Sequence, residues 1–187
     1  MNMRTHGPWK IAETATRFTS EFVEVYEDRV TRPDGSPGTY ATVTVKPGVA
    51  VLAIGEDGHA HLTRQFRYAI GRDSVEVVSG GCDPDEQPIE AARRELREEL
   101  GLLADTWIDL GMIDPDTSIV RNSAHLFLAR GLRQTHVDRD ATEDIRPLSA
   151  PLDEVLRMVM DGEITHAPSC VVILKAALHD VRDRPGG

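Results

Sequence analysis

A double glycine followed by an acidic, helix-like segment constrains the fold of this chain most. Gly80 and Gly81 precede the segment CDPDEQPIEAARRELREELG. Pro88 suits the first turn of a helix, and Gly101 suits its C-terminal end. At about 100° per residue, the apolar positions form one stripe: Ile89, Ala92, Leu96 and Leu100. The spacing predicts a helix from about Gln87 to Gly101 with one face on a core.

Beside that stripe, three carboxylates are spaced i, i+3 and i+4: Glu95, Glu98 and Glu99. Like charges this close on a helix cost stability, so the cluster is either a solvated face or a place for a cation. Arg94 lies four residues from both Glu90 and Glu98 and can pair with either. With Glu86 in the preceding loop, the carboxylates are hard oxygen ligands suited to Mg²⁺ or Mn²⁺.

The composition excludes several classes of protein. The 187 residues carry a formal net charge of −10, which argues against a nucleic-acid or anionic-membrane binder. Cys82 and Cys170 show neither metal spacing nor a disulfide framework. The N-terminus has no signal-peptide core, and no apolar run reaches the roughly 20 residues of a membrane span. We therefore expect a cytoplasmic protein that neither binds nucleic acid nor enters a membrane.

The rest of the chain predicts an α+β fold. β-type segments within 10–30 and a strand over 39–45 flank a turn cluster, which suggests a hairpin-like unit. The apolar run Gly48–Ile54 reads as a buried strand, and further strands are predicted at 61–70 and 143–149. Helices are predicted at 151–160 and 168–179. One sheet covered by helices is the expected arrangement.

The acidic segment resembles the Nudix box, whose pattern is G-x5-E-x7-R-E-U-x-E-E-x-G-U, with U an aliphatic residue. The fixed positions are met by Gly80, Glu86, Arg94, Glu95, Glu98, Glu99 and Gly101, with Leu96 and Leu102 at the aliphatic places. This resemblance implies a Nudix-fold α/β/α sandwich with a mixed sheet. It also implies hydrolysis of a nucleoside diphosphate linked to another group.

The resemblance implies a role for each residue of the box. Glu95 and Glu99 would be the principal metal ligands, with Glu98 assisting. Arg94 would pair with the glutamates and hold them in position. A backbone carbonyl beside Gly80, that of Ser79, would complete the shell of a Mg²⁺ ion, with Mn²⁺ as the alternative.

The segment LTRQFRYAIGRDSVEVVSGG, at residues 62–81, resembles the ADP-ribose pyrophosphatase branch of the family. This implies one Nudix domain, with an N-terminal β-hairpin extension over about 1–46, a catalytic core over about 47–180 and a frayed tail at 181–187. It also implies a homodimer in which the extension helps to hold adenine. Phe22 and Tyr26 are candidates to stack on that base, and core packing is the alternative for each.

Two further roles follow from this branch. Arg67 is the candidate for a bidentate phosphate contact, with a strand-surface ion pair as the alternative, and Arg64 is a weaker candidate. Glu143 aligns with the catalytic base on a loop, where it would take a proton from water. The alternatives are an idle charged residue at 143 and a base at Glu98.

The sequence thus predicts a metal-dependent hydrolase of ADP-ribose or a related nucleoside diphosphate sugar. It departs from the branch at Val78, Asp85 and residues 114–118, which leaves the substrate open. Other nucleoside diphosphate derivatives such as GDP-mannose, dinucleotides or nucleoside triphosphates are alternatives. A non-catalytic nucleotide sensor and an acidic interaction domain are alternatives of a different class.

Overall fold

A computed structural model of the chain describes residues 3–136 and 144–182. The chain divides into two compact units. Unit 1 comprises Met1–Lys46 and Asp116–Ser123, and unit 2 comprises Pro47–Pro115 and Ala124–Gly187.

Unit 1 is built on a sheet that has five strands within the described residues. They are β1 (Arg4–His6), β2 (Trp9–Thr19), β3 (Val23–Thr31), β4 (Pro37–Val45) and β10 (Val120–Arg121). The first four form an antiparallel meander, and β10 adds in parallel to β4. The expected N-terminal β extension is therefore present, and it is larger than a hairpin. A short segment from much later in the chain completes it.

Unit 2 contains a mixed sheet and three helices within the described residues. The strands are β5 (Gly48–Ile54), β6 (His59–Arg67), β7 (Arg72–Glu76), β8 (Val78–Gly81), β9 (Leu102–Ile113), β11 (Ala124–Gln134) and β12 (Arg146–Pro151). The helices are α1 (Pro88–Leu100), α2 (Leu152–Met160) and α3 (Ala167–Arg182). The strand order is β12-β6-β5-β11-β9, with β7 beside β6 and β8 beside β5. No described helix combines the length and apolar character needed to cross a bilayer.

The continuous apolar sequence of β5 explains why unit 2 has helices on both faces of the sheet. Side chains alternate between the two faces of a strand. Ala50, Leu52 and Ile54 pack with residues of α2 and α3. Val49 and Val51 pack with residues of α1 on the opposite face. The predicted buried strand and the predicted α/β/α sandwich are both confirmed.

Two predicted strand boundaries were wrong. The strand expected over 61–70 ends at Arg67, and a 3-10 turn follows over Tyr68–Ile70. Gly71 then adopts φ +65°, a left-handed conformation that reverses the chain so that β7 pairs with β6. The strand expected over 143–149 is observed as Arg146–Pro151.

Candidate functional site

Helix α1 presents the acidic cluster and has the predicted ends. Gln87 precedes the first turn, and its N–H donates to Glu90 Oε2 at 3.4 Å. Gly101 ends the helix with φ 63°, and its N–H bonds to the Arg97 carbonyl. Ala92 and Leu96 are fully buried against β5 and β11. Burial of this stripe fixes the rotation of α1 and therefore the direction of its glutamates.

Arg94 is the centre of the polar network on α1. Its Nε and Nη2 each donate to one carboxylate oxygen of Glu86 at 3.0 Å. Its Nη1 lies 2.7 Å from Glu95 Oε1 and 3.2 Å from Glu98 Oε2. Nη2 also donates to the Gly81 carbonyl at 2.9 Å. Arg94 thus ties the loop before the helix to two of the predicted metal ligands.

Of the two helix partners expected for Arg94, the structure selects Glu98, because Glu90 caps the first turn of α1. The hydrogen bonds that Arg94 donates to Glu86 raise the pKa of Arg94 above its ordinary value. The same bonds lower the pKa of Glu86. Arg94 and Glu86 are therefore both ionised at neutral pH, and one guanidinium bonds to three carboxylates.

Gly80 leaves the space into which the Glu95 carboxylate packs. A Cβ built on Gly80 would overlap the carboxylate carbon and oxygens of Glu95. A Cβ on Gly48, in the neighbouring strand β5, would come within 2.9 Å of the Gly80 carbonyl oxygen. A side chain at Gly80 would displace the Glu95 carboxylate, whereas one at Gly48 would press on the backbone of Gly80. The first glycine of the box therefore has a steric role that can be read directly from these contacts.

The remaining predicted ligands lie in the same region of unit 2. Glu99 is 7% exposed, which is unusual for a carboxylate. Ser79 lies in β8, opposite Ala50 of β5. Glu98 is the most exposed of the predicted carboxylate ligands in the Arg94 network, and it also contacts Arg97 at 3.4 Å.

The space that Gly80 leaves for the Glu95 carboxylate is here called the Gly80 cradle. The donors suit a hard divalent cation, since they are carboxylates grouped on one helical face beside this cradle. Among residues 3–136 and 144–182, however, no three His, Cys, Asp or Glu side chains are arranged as a preformed metal cage. The bonds of Arg94 to Glu95 and Glu98 account for this arrangement, because they draw both carboxylates to the guanidinium. The residues fit the chemistry of the ion, and binding it requires these carboxylates to turn.

Arg67 forms the ion pair that the sequence left as its alternative role. Its Nε and Nη2 donate to Glu76 at 3.0 and 2.6 Å. The Glu76 side chain is 5% exposed, whereas that of Arg67 is 40% exposed. Arg64 is exposed and lies three residues earlier in β6. Side chains at odd spacing in a strand project from opposite faces, so the two arginines are not brought together.

A buried polar network that no sequence pattern predicted surrounds Glu76. His166 Nδ1 lies 3.4 Å from Glu76 Oε2 and 2.8 Å from Ser169 Oγ. Burial alone raises the pKa of Glu76, but the hydrogen bonds from Arg67 and the charge of His166 outweigh it, and the net pKa is lowered. The sequence signal for this network was a single acidic residue in the otherwise apolar run VEVV, at residues 75–78.

The remaining predicted site residues are two aromatic residues of unit 1 and Glu143. Phe22 and Tyr26 belong to unit 1: Phe22 is 65% exposed, and Tyr26 lies in β3. The hydroxyl of Tyr26 donates to Glu24 at 2.9 Å, and this bond raises the pKa of Tyr26. Glu143, the predicted base, lies outside the described residues.

Comparison with known proteins agrees with this architecture. An ADP-ribose pyrophosphatase of Mycobacterium tuberculosis (strain ATCC 25618 / H37Rv) is 32% identical over 173 residues, covering 89% of this chain and 81% of that protein. An ADP-ribose pyrophosphatase of Bacillus subtilis (strain 168) is 28% identical over 167 residues, covering 86% of this chain and 90% of that protein.

Similarity extends to the fold. A solved structure described as an ADP compounds hydrolase superposes with a TM-score of 0.82 at 20% identity, covering 97% of this chain and 99% of that one. The family model described as the NUDIX domain matches residues 44–168, which include the Arg94 network and the Gly80 cradle. The chain therefore belongs to the Nudix family.

Proposed function

We propose that this Nudix protein hydrolyses the diphosphate linkage of ADP-ribose or a related nucleoside diphosphate sugar. The products would be a nucleoside monophosphate and a sugar phosphate. The observation that carries the proposal is the Arg94 network, which holds Glu86, Glu95 and Glu98 together beside Gly80. The two bacterial relatives named ADP-ribose pyrophosphatase support this choice of substrate, because their similarity covers most of the chain.

Nudix hydrolases generally need a divalent cation, and we propose Mg²⁺, with Mn²⁺ as the alternative. Glu95, Glu98, Glu99 and the Ser79 carbonyl would hold it. When bound, such an ion neutralises diphosphate charge and lowers the pKa of a coordinated water. Arg94 keeps Glu95 and Glu98 beside Gly80, and on binding the ion these carboxylates would exchange part of their contact with the guanidinium for the ion.

The chain supplies the proton transfer and the contacts to the substrate. Glu143 accepts a proton from the attacking water, whose oxygen bonds to one phosphorus while the bridging P–O bond breaks. Glu98 is the alternative base. Arg67 stabilises the charge that develops on the phosphate oxygens, with Arg64 as a weaker candidate. Turning Arg67 toward a phosphate would exchange part of its contact with Glu76 for the new one.

The same proposal includes how adenine is bound and which oligomer the protein forms. Phe22 and Tyr26 of unit 1 stack on adenine, and the protein acts as a cytoplasmic homodimer. The exposure of Phe22 supports this role, because its ring is accessible to a stacking base.

A product screen tests the substrate. Purified protein with Mg²⁺ is incubated with ADP-ribose, GDP-mannose, a dinucleotide and a nucleoside triphosphate in H₂¹⁸O, and products are identified by mass spectrometry. We expect AMP and ribose 5-phosphate from ADP-ribose, with ¹⁸O in one of them, which identifies the attacked phosphorus. Cleavage of GDP-mannose with ADP-ribose left intact would overturn the choice of substrate. No cleavage of any diphosphate would overturn the enzymatic function.

A further inference from the structure

The chain changes its partner strand at Val77, close to the proposed metal site. β7 pairs with β6 up to Glu76, and β8 pairs with β5 from Val78 onward. Val77 is fully buried between the two ladders. A buried N–H without an acceptor costs about 1–3 kcal/mol. Ser169, fully buried in the first turn of α3, meets this need, because its Oγ accepts the Val77 N–H at 3.0 Å.

Ser169 is itself held in place by His166. The hydroxyl oxygen lies 2.8 Å from His166 Nδ1, which is also 3.4 Å from Glu76 Oε2. Glu76 in turn reaches forward along the chain, since Ser79 Oγ lies 3.5 Å from its carboxylate. The start of α3 therefore contacts the two residues that precede β8. Ser169 bonds to the backbone of Val77, and His166 contacts the side chain of Glu76.

These contacts lie next to the groups assigned to the cation. β8 has only four residues, and Val77 stands two residues before Ser79 and three before Gly80. The Ser79 carbonyl is a proposed ligand, and the Gly80 backbone forms the surface on which Glu95 packs. A shift at Val77 would move both, because a short extended segment transmits displacement along its length.

We propose that Ser169, together with His166, is a positioning residue that sets the Ser79 carbonyl and the Gly80 cradle for the divalent cation. This inference rests on the part of the proposed function that assigns a cation to the glutamates of α1. Ser169 acts through Val77 and touches neither ion nor substrate. Partners that orient ligands from outside the coordination shell typically change metal affinity by about 10–100-fold when they are removed.

The test is a titration of the full chain with Mn²⁺. Binding is measured from the decrease of the electron paramagnetic resonance signal of free Mn²⁺. Ser169→Ala removes one oxygen and leaves Val77 without its acceptor. We expect its Kd for Mn²⁺ to rise about tenfold. The matched control is Val172→Ala, which removes buried apolar volume three residues further along α3. We expect the control to lose stability while its Kd stays that of the wild type.

An unchanged Kd in Ser169→Ala, or an equal rise in Val172→Ala, would overturn the positioning role. If Ser169→Ala does not fold by circular dichroism, His166→Ala takes its place, since it keeps Ser169 but removes the group that holds it. Its Kd should rise in the same direction, and an unchanged value refutes the inference. ADP-ribose turnover measured in parallel separates the two ideas. Altered Mn²⁺ affinity in a chain that cleaves no diphosphate refutes the proposed activity and leaves the positioning role intact.

Discussion

Replacing Gly80 by alanine tests the steric role of this glycine, and the same change at Gly81 is the control. A methyl group on Gly80 overlaps the Glu95 carboxylate, so that carboxylate must move away. A methyl group on Gly81 meets nothing closer than the Pro47 carbonyl at 4.0 Å, an ordinary contact. The two variants add the same atoms one residue apart, and only the first displaces a proposed metal ligand.

The size of the effect follows from the contact that Glu95 loses. Its bond to Arg94 at 2.7 Å joins side chains that are 13% and 25% exposed, so solvent screens it weakly. A hydrogen bond between charged groups contributes about 1.5–3 kcal/mol. Replacing glycine by alanine also reduces the conformational entropy of the unfolded chain, which stabilises the folded state by about 0.4–1 kcal/mol. Gly80→Ala should therefore lower the free energy of unfolding by about 1–2 kcal/mol.

Urea unfolding, with and without Mg²⁺, measures this free energy, and calorimetric titration with Mg²⁺ measures the affinity. We expect Gly81→Ala to be as stable as the wild type or slightly more stable, with unchanged Mg²⁺ affinity. Gly80→Ala should be less stable, bind Mg²⁺ more weakly and gain less stability from the ion. Equal behaviour of the two variants in both assays would refute the steric argument.

Three further outcomes are expected. Glu99→Gln abolishes Mg²⁺-dependent turnover, whereas Glu90→Gln, at the start of α1, keeps it; retained phosphate release in the first variant would contradict the metal assignment. Because the pKa of Glu76 is lowered from 4.5 in the folded state, its ionised form contributes stability that is complete above that pH and lost as the pH falls through the folded value. In Glu76→Gln, the free energy of unfolding measured in urea should therefore fall less steeply as the pH is lowered. The same pH dependence in this variant and the wild type would contradict the expectation. Arg94→Lys loses the two-point contact with Glu86 and should lower the free energy of unfolding, measured in urea, by about 2 kcal/mol. Arg97→Lys, at a more exposed position, should change it by less than about 0.5 kcal/mol. Equal decreases in the two variants would contradict the central role of Arg94.

The roles of Arg67 and Glu76 show where a linear pattern stops being informative. The sequence placed Arg67 in a strand and gave it two roles, a phosphate contact or an ion pair. The structure supplies the ion pair, because β7 folds back on β6 and brings Glu76 beside it. His166 joins the same carboxylate from about 90 residues away, and no spacing rule connects positions so distant. The phosphate contact stays a prediction.

The sequence by itself determined the features that depend on neighbouring residues. These are helix α1 with its ends, the grouping of its three glutamates, and the apolar run of β5, because helix and strand periodicities act over a few residues. Only the tertiary structure decided that Glu95 rests on Gly80 and that Ser169 satisfies Val77. It also decided that β10 completes the sheet of unit 1. Such contacts join segments far apart in the chain, and they follow from how the layers pack, which local preferences do not encode.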